Sequence, residues 1–102
     1  MKTRREMLEE FLAQDPGDSF SRYALALELD KEGRQDDALK ELQAVLERDP
    51  NYVAVYYQLG RLLAQAGRTD EAREIYRRGI GVAAAARDQR TREELVSALE
   101  NT

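Results

Sequence analysis

The fold is decided by residues 56–76, YYQLGRLLAQAGRTDEAREIY, and by their near-copy 34 residues earlier at 22–42, RYALALELDKEGRQDDALKEL. Seven pairs are identical in this register: Tyr23 and Tyr57, Leu25 and Leu59, Leu29 and Leu63, Gly33 and Gly67, Arg34 and Arg68, Asp36 and Asp70, and Ala38 and Ala72. Self-similarity at a fixed period of this length is typical of tandem repeats, in which each copy is one supersecondary unit.

Each copy has the pattern of two helices joined by a tight turn. Apolar residues recur every three or four positions from Leu25 to Leu46, on both sides of Gly33, as one face of a helix requires. Glycine suits the left-handed position that closes a helix, and Pro50 ends the second helix because proline cannot continue one. Thr69 is predicted to cap the second helix of the later copy.

The segments on either side of the two copies extend the helical pattern. Leu8 and Leu12 stand in step with Leu42 and Leu46, so the first segment is predicted to be the second helix of a repeat whose first helix is absent. After the later copy, a capping-box spacing that begins at Thr91 leads into a last amphipathic helix. Such a helix covers the apolar side of the final hairpin.

These patterns predict an all-α fold, an α-solenoid of antiparallel helix hairpins with about six helices. Good helix formers dominate the composition, which agrees with this class. One domain is predicted over residues 1–102, with a half-repeat helix at 3–15, repeat one at 19–52, repeat two at 53–86 and a C-terminal capping helix at 89–100.

The repeated residues resemble the tetratricopeptide repeat, and the chain as a whole resembles small stand-alone bacterial members of that family. The resemblance is carried in the later copy by Tyr56, Leu59, Gly60, Leu63, Gly67, Ala72 and Tyr76. Arg22 departs from the family pattern, which prefers a large aromatic there, so looser packing is expected in the first hairpin. Ala84 replaces the closing proline, and Gly79 replaces a small alanine.

Composition and charge argue against several classes of function. The formal net charge is −4, whereas nucleic-acid binding needs a basic face. There is no histidine and no cysteine, which removes the usual general base, the thiolate nucleophile and most zinc sites. We therefore expect no catalytic residues, no metal and no cofactor. No apolar run could span a membrane, so a soluble, cytoplasmic protein is expected.

The resemblance implies a binding surface, because in this family the first helices of successive repeats line a concave groove that grips a peptide or a partner helix. The residues mapped onto that groove are Phe20, Tyr23, Ala24, Leu27, Lys31, Ala54, Tyr57, Gln58, Arg61 and Gln65. Tyrosine and arginine are typical of binding hot spots. The alternative for these aromatic residues is that they pack between repeats.

One subgroup of the family holds the C-terminal carboxylate of chaperones with a lysine–asparagine clamp. At the matching positions this chain has Tyr23 and Leu27, with Gln58 as only a partial substitute. A chaperone-tail receptor of that kind is therefore disfavoured.

Two classes of function remain in competition. The leading prediction is a non-catalytic adaptor that binds a protein or peptide in the groove. The alternative is a self-associating structural protein, a homo-oligomer whose terminal helices stack between chains. A small-molecule or enzymatic role is the least favoured class, because the sequence shows no set of polar residues typical of an enclosed active site.

Overall fold

The computed structural model describes residues 1–102 as six helices with no strand, which confirms the all-α helical repeat fold. The helices are α1 (Arg4–Gln14), α2 (Ser19–Lys31), α3 (Gln35–Arg48), α4 (Val53–Gln65), α5 (Thr69–Ala85) and α6 (Gln89–Glu100). They form two compact units, each of three helices: unit 1 spans Met1–Pro50 and unit 2 spans Asn51–Thr102. A single domain over 1–102 stays a prediction.

The turns inside the hairpins share one geometry. Gly33 and Gly67 both have φ of 80°, the left-handed conformation that only glycine adopts without strain. The backbone N–H that follows each glycine donates to a carbonyl five residues back, over 2.9 Å in both cases. Each glycine thus ends one helix and aims the chain into the next.

Arg87 takes the same position after α5, with φ of 59°, and the Asp88 N–H donates to the Ala83 carbonyl over 2.9 Å. Replacing Arg87 with glycine should therefore stabilise the protein by about 0.5–1 kcal/mol, because relief of left-handed strain outweighs the added entropy of the unfolded chain. Chemical denaturation measures this gain. Arg87→Ala, which keeps the strain, should show no gain, and a destabilised glycine variant would contradict the prediction.

The helix starts correct two expectations from the sequence. Thr69 was expected as an N-cap, but it is the first residue of α5, and the cap position before it is Arg68. Thr91 was expected to open a capping box, but it lies inside α6, which Asp88 caps by accepting from the Thr91 N–H. The capping box of this chain is instead at Thr3, where α1 begins. Glu93 and Glu94, which follow Thr91, suggested a capping box there, but Asp88 three residues earlier caps the helix.

Asp18 and Asp88 are equivalent caps of α2 and α6. Each carboxylate accepts from a hydroxyl three residues on, Ser21 at 2.6 Å and Thr91 at 2.7 Å. It also accepts from the backbone N–H of the same residue, over 3.1 Å. The hydroxyl bond is the largest cause of the lowered pKa of both carboxyl groups.

A lowered carboxyl pKa makes folding stability depend on pH. Its contribution is present above the unfolded Asp pKa of about 3.9 and is lost as the pH falls through the lower folded value. The melting temperature should therefore fall when the pH is lowered below the unfolded Asp pKa of about 3.9. It should fall less in Asp18→Asn/Asp88→Asn, because asparagine still caps a helix but does not titrate. Thermal unfolding at a series of pH values measures both slopes, and equal slopes would contradict the assignment.

The core of unit 2 depends on close approach at two glycines. A Cβ on Gly60 would overlap the ring of Tyr76, and a Cβ on Gly79 would lie 2.5 Å from Cβ of Tyr56 and 3.0 Å from Leu95 Cδ1. The missing side chains let α4, α5 and α6 pack closely around the two tyrosine rings. This packing explains why glycine stands at position 79.

The core of unit 1 uses leucine, valine and alanine instead. Its most buried members are Ala26, Ala38, Leu39, Leu42 and Val45. Arg22, at the position where an aromatic was expected, is half-buried. Its guanidinium donates to Glu41 over 2.9 Å and to the Pro16 carbonyl over 3.0 Å, and so joins α2 to α3.

Candidate functional site

Unit 2 contains a groove of about 820 Å³ between α4 and α6. It is lined from α4 by Tyr57, Arg61, Ala64 and Gln65, from α5 by Tyr76, and from the last segment by Arg90, Glu93, Glu94, Ser97, Ala98, Asn101 and Thr102. Three of the residues predicted from the sequence, Tyr57, Arg61 and Gln65, therefore lie together on one wall.

On the α4 wall of the groove, Gln58 holds the Arg61 side chain in one orientation. The guanidinium of Arg61 donates to Gln58 Oε1 from Nε over 3.1 Å and from Nη2 over 2.8 Å, which fixes its orientation on α4. Burial is the main cause that raises the pKa of the Tyr76 hydroxyl; the neighbouring Tyr57 raises it further, and Arg61 lowers it. The three side chains are thus close enough to interact electrostatically.

The α6 wall is the part that the sequence reasoning missed. The α6 residues of the groove stand 70 positions after the α2 residues Phe20, Tyr23, Ala24, Leu27, Glu28 and Lys31. The core and cap residues repeat in the same register, as Leu25 and Leu95 show. Helix α6 is therefore a first helix of the repeat type and not only a cap. A search at this shift would have found it.

Unit 1 contains a smaller pocket of about 400 Å³. It is lined by Arg4, Phe20, Tyr23, Ala24, Leu27, Glu28 and Lys31, which include all five predicted residues of α2. Phe20 is 66% exposed, whereas Ala24 is buried in the floor.

Glu28 neutralises part of the charge at the rim of this pocket. Its Oε1 lies 3.1 Å from Nε of Arg4 and 3.4 Å from Nζ of Lys31. Both cations next to the apolar floor therefore already have an anion within the same unit. This pocket offers mainly an aromatic surface.

Two predicted residues lie outside both cavities. Ala54 is exposed near the start of α4, and Gln58 contacts Arg61 without lining the groove. The assignment of the ten residues to a binding site stays a prediction.

Neither a metal-ligand cluster nor a membrane-spanning helix is found among the six helices. No group of three or more carboxylate side chains converges as metal ligands would. None of the six helices combines the length and the apolar character that crossing a bilayer requires.

Comparison with known proteins identifies the repeat. A family model described as tetratricopeptide repeat matches residues 30–91. A TPR repeat-containing protein of Pseudomonas aeruginosa is 30% identical over 90 residues, which make up 88% of this chain and 86% of that protein.

Two solved structures are similar in sequence and in fold. The solution structure of a tetratricopeptide repeat domain protein from Salinibacter ruber has 41% identity and a TM-score of 0.82, and the match covers 85% of this chain and 88% of that one. The solution structure of a Bordetella parapertussis protein has 31% identity and a TM-score of 0.84, over 99% of this chain and 88% of that one.

Proposed function

We propose that this chain, which belongs to the tetratricopeptide repeat family, binds a segment of a partner protein in the groove between α4 and α6 of unit 2. The tetratricopeptide fold generally mediates protein–protein interaction, and its members are generally non-catalytic. The observation that carries the proposal is that Tyr57, Arg61 and Tyr76 line the same groove of about 820 Å³.

The chemistry of these residues favours a polypeptide ligand. Tyrosine and arginine provide large, rigid contact area together with hydrogen-bond donors, and they dominate the hot spots of protein interfaces. Because Gln58 orients Arg61 in advance, little side-chain entropy is lost when a partner binds. A groove open along two helices suits an extended segment or a single helix.

The opposite wall supplies charges of both signs. Arg90 pairs with Glu94, their side chains lying 3.5 Å apart, and Glu93 accepts from the Gln89 amide over 3.1 Å. We therefore expect the partner segment to combine an apolar anchor over the tyrosines with polar groups of both charges at the rim. The aromatic pocket of unit 1 is a second surface for such a segment.

The test uses peptides selected on the protein itself. A random peptide library is displayed and selected against the immobilised chain, and the affinity of the enriched peptide is measured by fluorescence anisotropy. The variant Tyr57→Ala/Arg61→Ala should bind at least tenfold more weakly, because each residue contributes on the order of 1 kcal/mol or more at a hot spot.

Arg77→Ala is the matched control, because it removes an exposed arginine from α5 outside the groove. It should bind as the unaltered chain does. Helicity and melting temperature must be retained in both variants. Unchanged affinity in a folded Tyr57→Ala/Arg61→Ala variant contradicts the proposal.

A further inference from the structure

Helix α1 carries two large apolar side chains that are about half exposed. Met7 and Phe11, one helical turn apart, are 42% and 53% exposed, while Leu8 and Leu12 on the adjacent face are buried against the rest of unit 1. We call Met7 and Phe11 the α1 outer face. All four large apolar side chains that are exposed in this protein lie within its first 20 residues.

The repeat register shows what normally covers this face. Phe11 stands 68 residues before Gly79, the position where a Cβ would meet Tyr56 of the preceding helix and Leu95 of the following one. Met7 stands 34 residues before Glu41, whose carboxylate pairs with Arg22 of the preceding helix. In both cases the equivalent position contacts the antiparallel helix that precedes its own helix in the chain.

Helix α6 has the complementary open face. Val96 stands 36 residues after Gly60, which Tyr76 of the following helix covers. It also stands 70 residues after Ala26, which is only 1% exposed, yet Val96 itself is half-buried. Arg92, the counterpart of Arg22, is exposed. We call Arg92, Val96 and Leu99 the α6 outer face; it lies on the side of α6 away from the groove residues.

By register, the α6 outer face corresponds to the first helix, and the α1 outer face to the second helix, of the hairpins that α2 forms with α3 and α4 forms with α5. In an antiparallel hairpin, the beginning of the first helix lies beside the end of the second. By the repeat register, Arg92 of α6 would then lie beside Met7 and Phe11 of α1, as Arg22 lies beside Glu41 and Tyr56 beside Gly79. Glu100, at the other end of α6, would lie near the basic start of α1.

We propose that α6 of one copy docks on α1 of a second copy, so that the chain associates head to tail through a hairpin formed between molecules. Apolar contact of Val96 and Leu99 with Met7 and Phe11, together with Glu100 against the basic start of α1, drives the association. A head-to-tail contact uses different surfaces on the two copies and can therefore continue into longer assemblies.

The decisive experiment blocks one face at a time and measures mass by sedimentation equilibrium. The average mass of the unaltered chain should rise above 11.7 kDa with concentration and continue past the dimer. Phe11→Glu, which blocks the α1 outer face, and Val96→Glu, which blocks the α6 outer face, should each remain monomeric. A mixture of the two in equal amounts should form a dimer and stop there, because only one pair of intact faces remains.

The same measurement contains its controls. Ala13→Glu adds the same charge to an exposed position on another side of α1 and should associate as the unaltered chain does. Circular dichroism confirms that every variant is helical. A chain that stays monomeric at millimolar concentration overturns the proposal. So does a Val96→Glu variant that still dimerises by itself, or a mixture that forms no dimer.

Discussion

Replacing Tyr56 with alanine is expected to lower the free energy of unfolding by about 3–5 kcal/mol, the usual cost of removing a buried aromatic ring. Tyr56 is 1% exposed and lies against Gly79, and the Arg78 guanidinium stands 5.8 Å from the centre of its ring. Because Gly79 has no side chain, it cannot help to fill the space that the ring leaves. A loss of this size is a large part of the stability of a small protein.

The neighbouring Tyr57 provides the comparison for this prediction. It is half-buried and lines the groove, so Tyr57→Ala should change the free energy of unfolding by less than about 1 kcal/mol. Urea denaturation of both variants measures the difference. If the two alanine variants were equally stable, the assignment of Tyr56 to the core and Tyr57 to the groove would be wrong.

Replacing Leu95 with alanine is expected to cost about 2–5 kcal/mol. Leu95 is fully buried, and its Cδ1 is one of the atoms that a Cβ at Gly79 would meet. It is the residue through which α6 closes the apolar side of the α4–α5 hairpin. Its loss should therefore loosen α6 and also the groove wall that α6 forms.

Leu99→Ala serves as the matched change one turn later, because Leu99 is only half-buried. Its cost should be clearly smaller. Amide hydrogen exchange locates the effect: faster exchange across α6 in Leu95→Ala, with little change in Leu99→Ala, is the expected pattern. Equal destabilisation by the two variants would contradict a closing role for Leu95.

The fold could be predicted from the sequence because several of the repeated residues each require a particular local backbone conformation. Gly33 and Gly67 must adopt positive φ, Pro50 cannot continue a helix, and the leucines recur at helical spacing. These constraints act locally, so they can be read without knowing the contacts. The six helices and the turns between the hairpin helices follow from them.

The starts of α5 and α6 were harder to predict, because several residues near each start could act as the cap. Thr69 and Thr91 both have side chains that can cap a helix. After the turn at Gly67, however, Arg68 takes the cap position of α5. In α6, Asp88 is the cap and accepts from the Thr91 N–H. Arg87 was also missed, since a left-handed arginine replaces the glycine that marks the other two turns.

The predicted binding residues were mapped by register alone. Register places residues on one face of a helix, but it does not tell which other helix faces them. Tyr57, Arg61 and Gln65 fall on one groove wall because they share a face of α4. The opposite wall was not predicted because α5 is longer than α3, so α6 follows α4 at a shift of 36 residues and not 34. Which side chains line a groove depends on how the helices pack together, and the repeat register does not give that packing.

A polypeptide that binds between α4 and α6 should perturb the backbone amides of both groove walls, and NMR can measure this residue by residue. The selected peptide is titrated into the isotope-labelled chain, and the shifts of the backbone amides are followed. We expect the largest shifts at Tyr57, Arg61 and Gln65 together with Ser97 and Asn101 of the opposite wall. Saturable binding that shifts only amides on the exposed face of α5 around Arg77, and leaves the groove amides unchanged, would show that the peptide does not bind between α4 and α6.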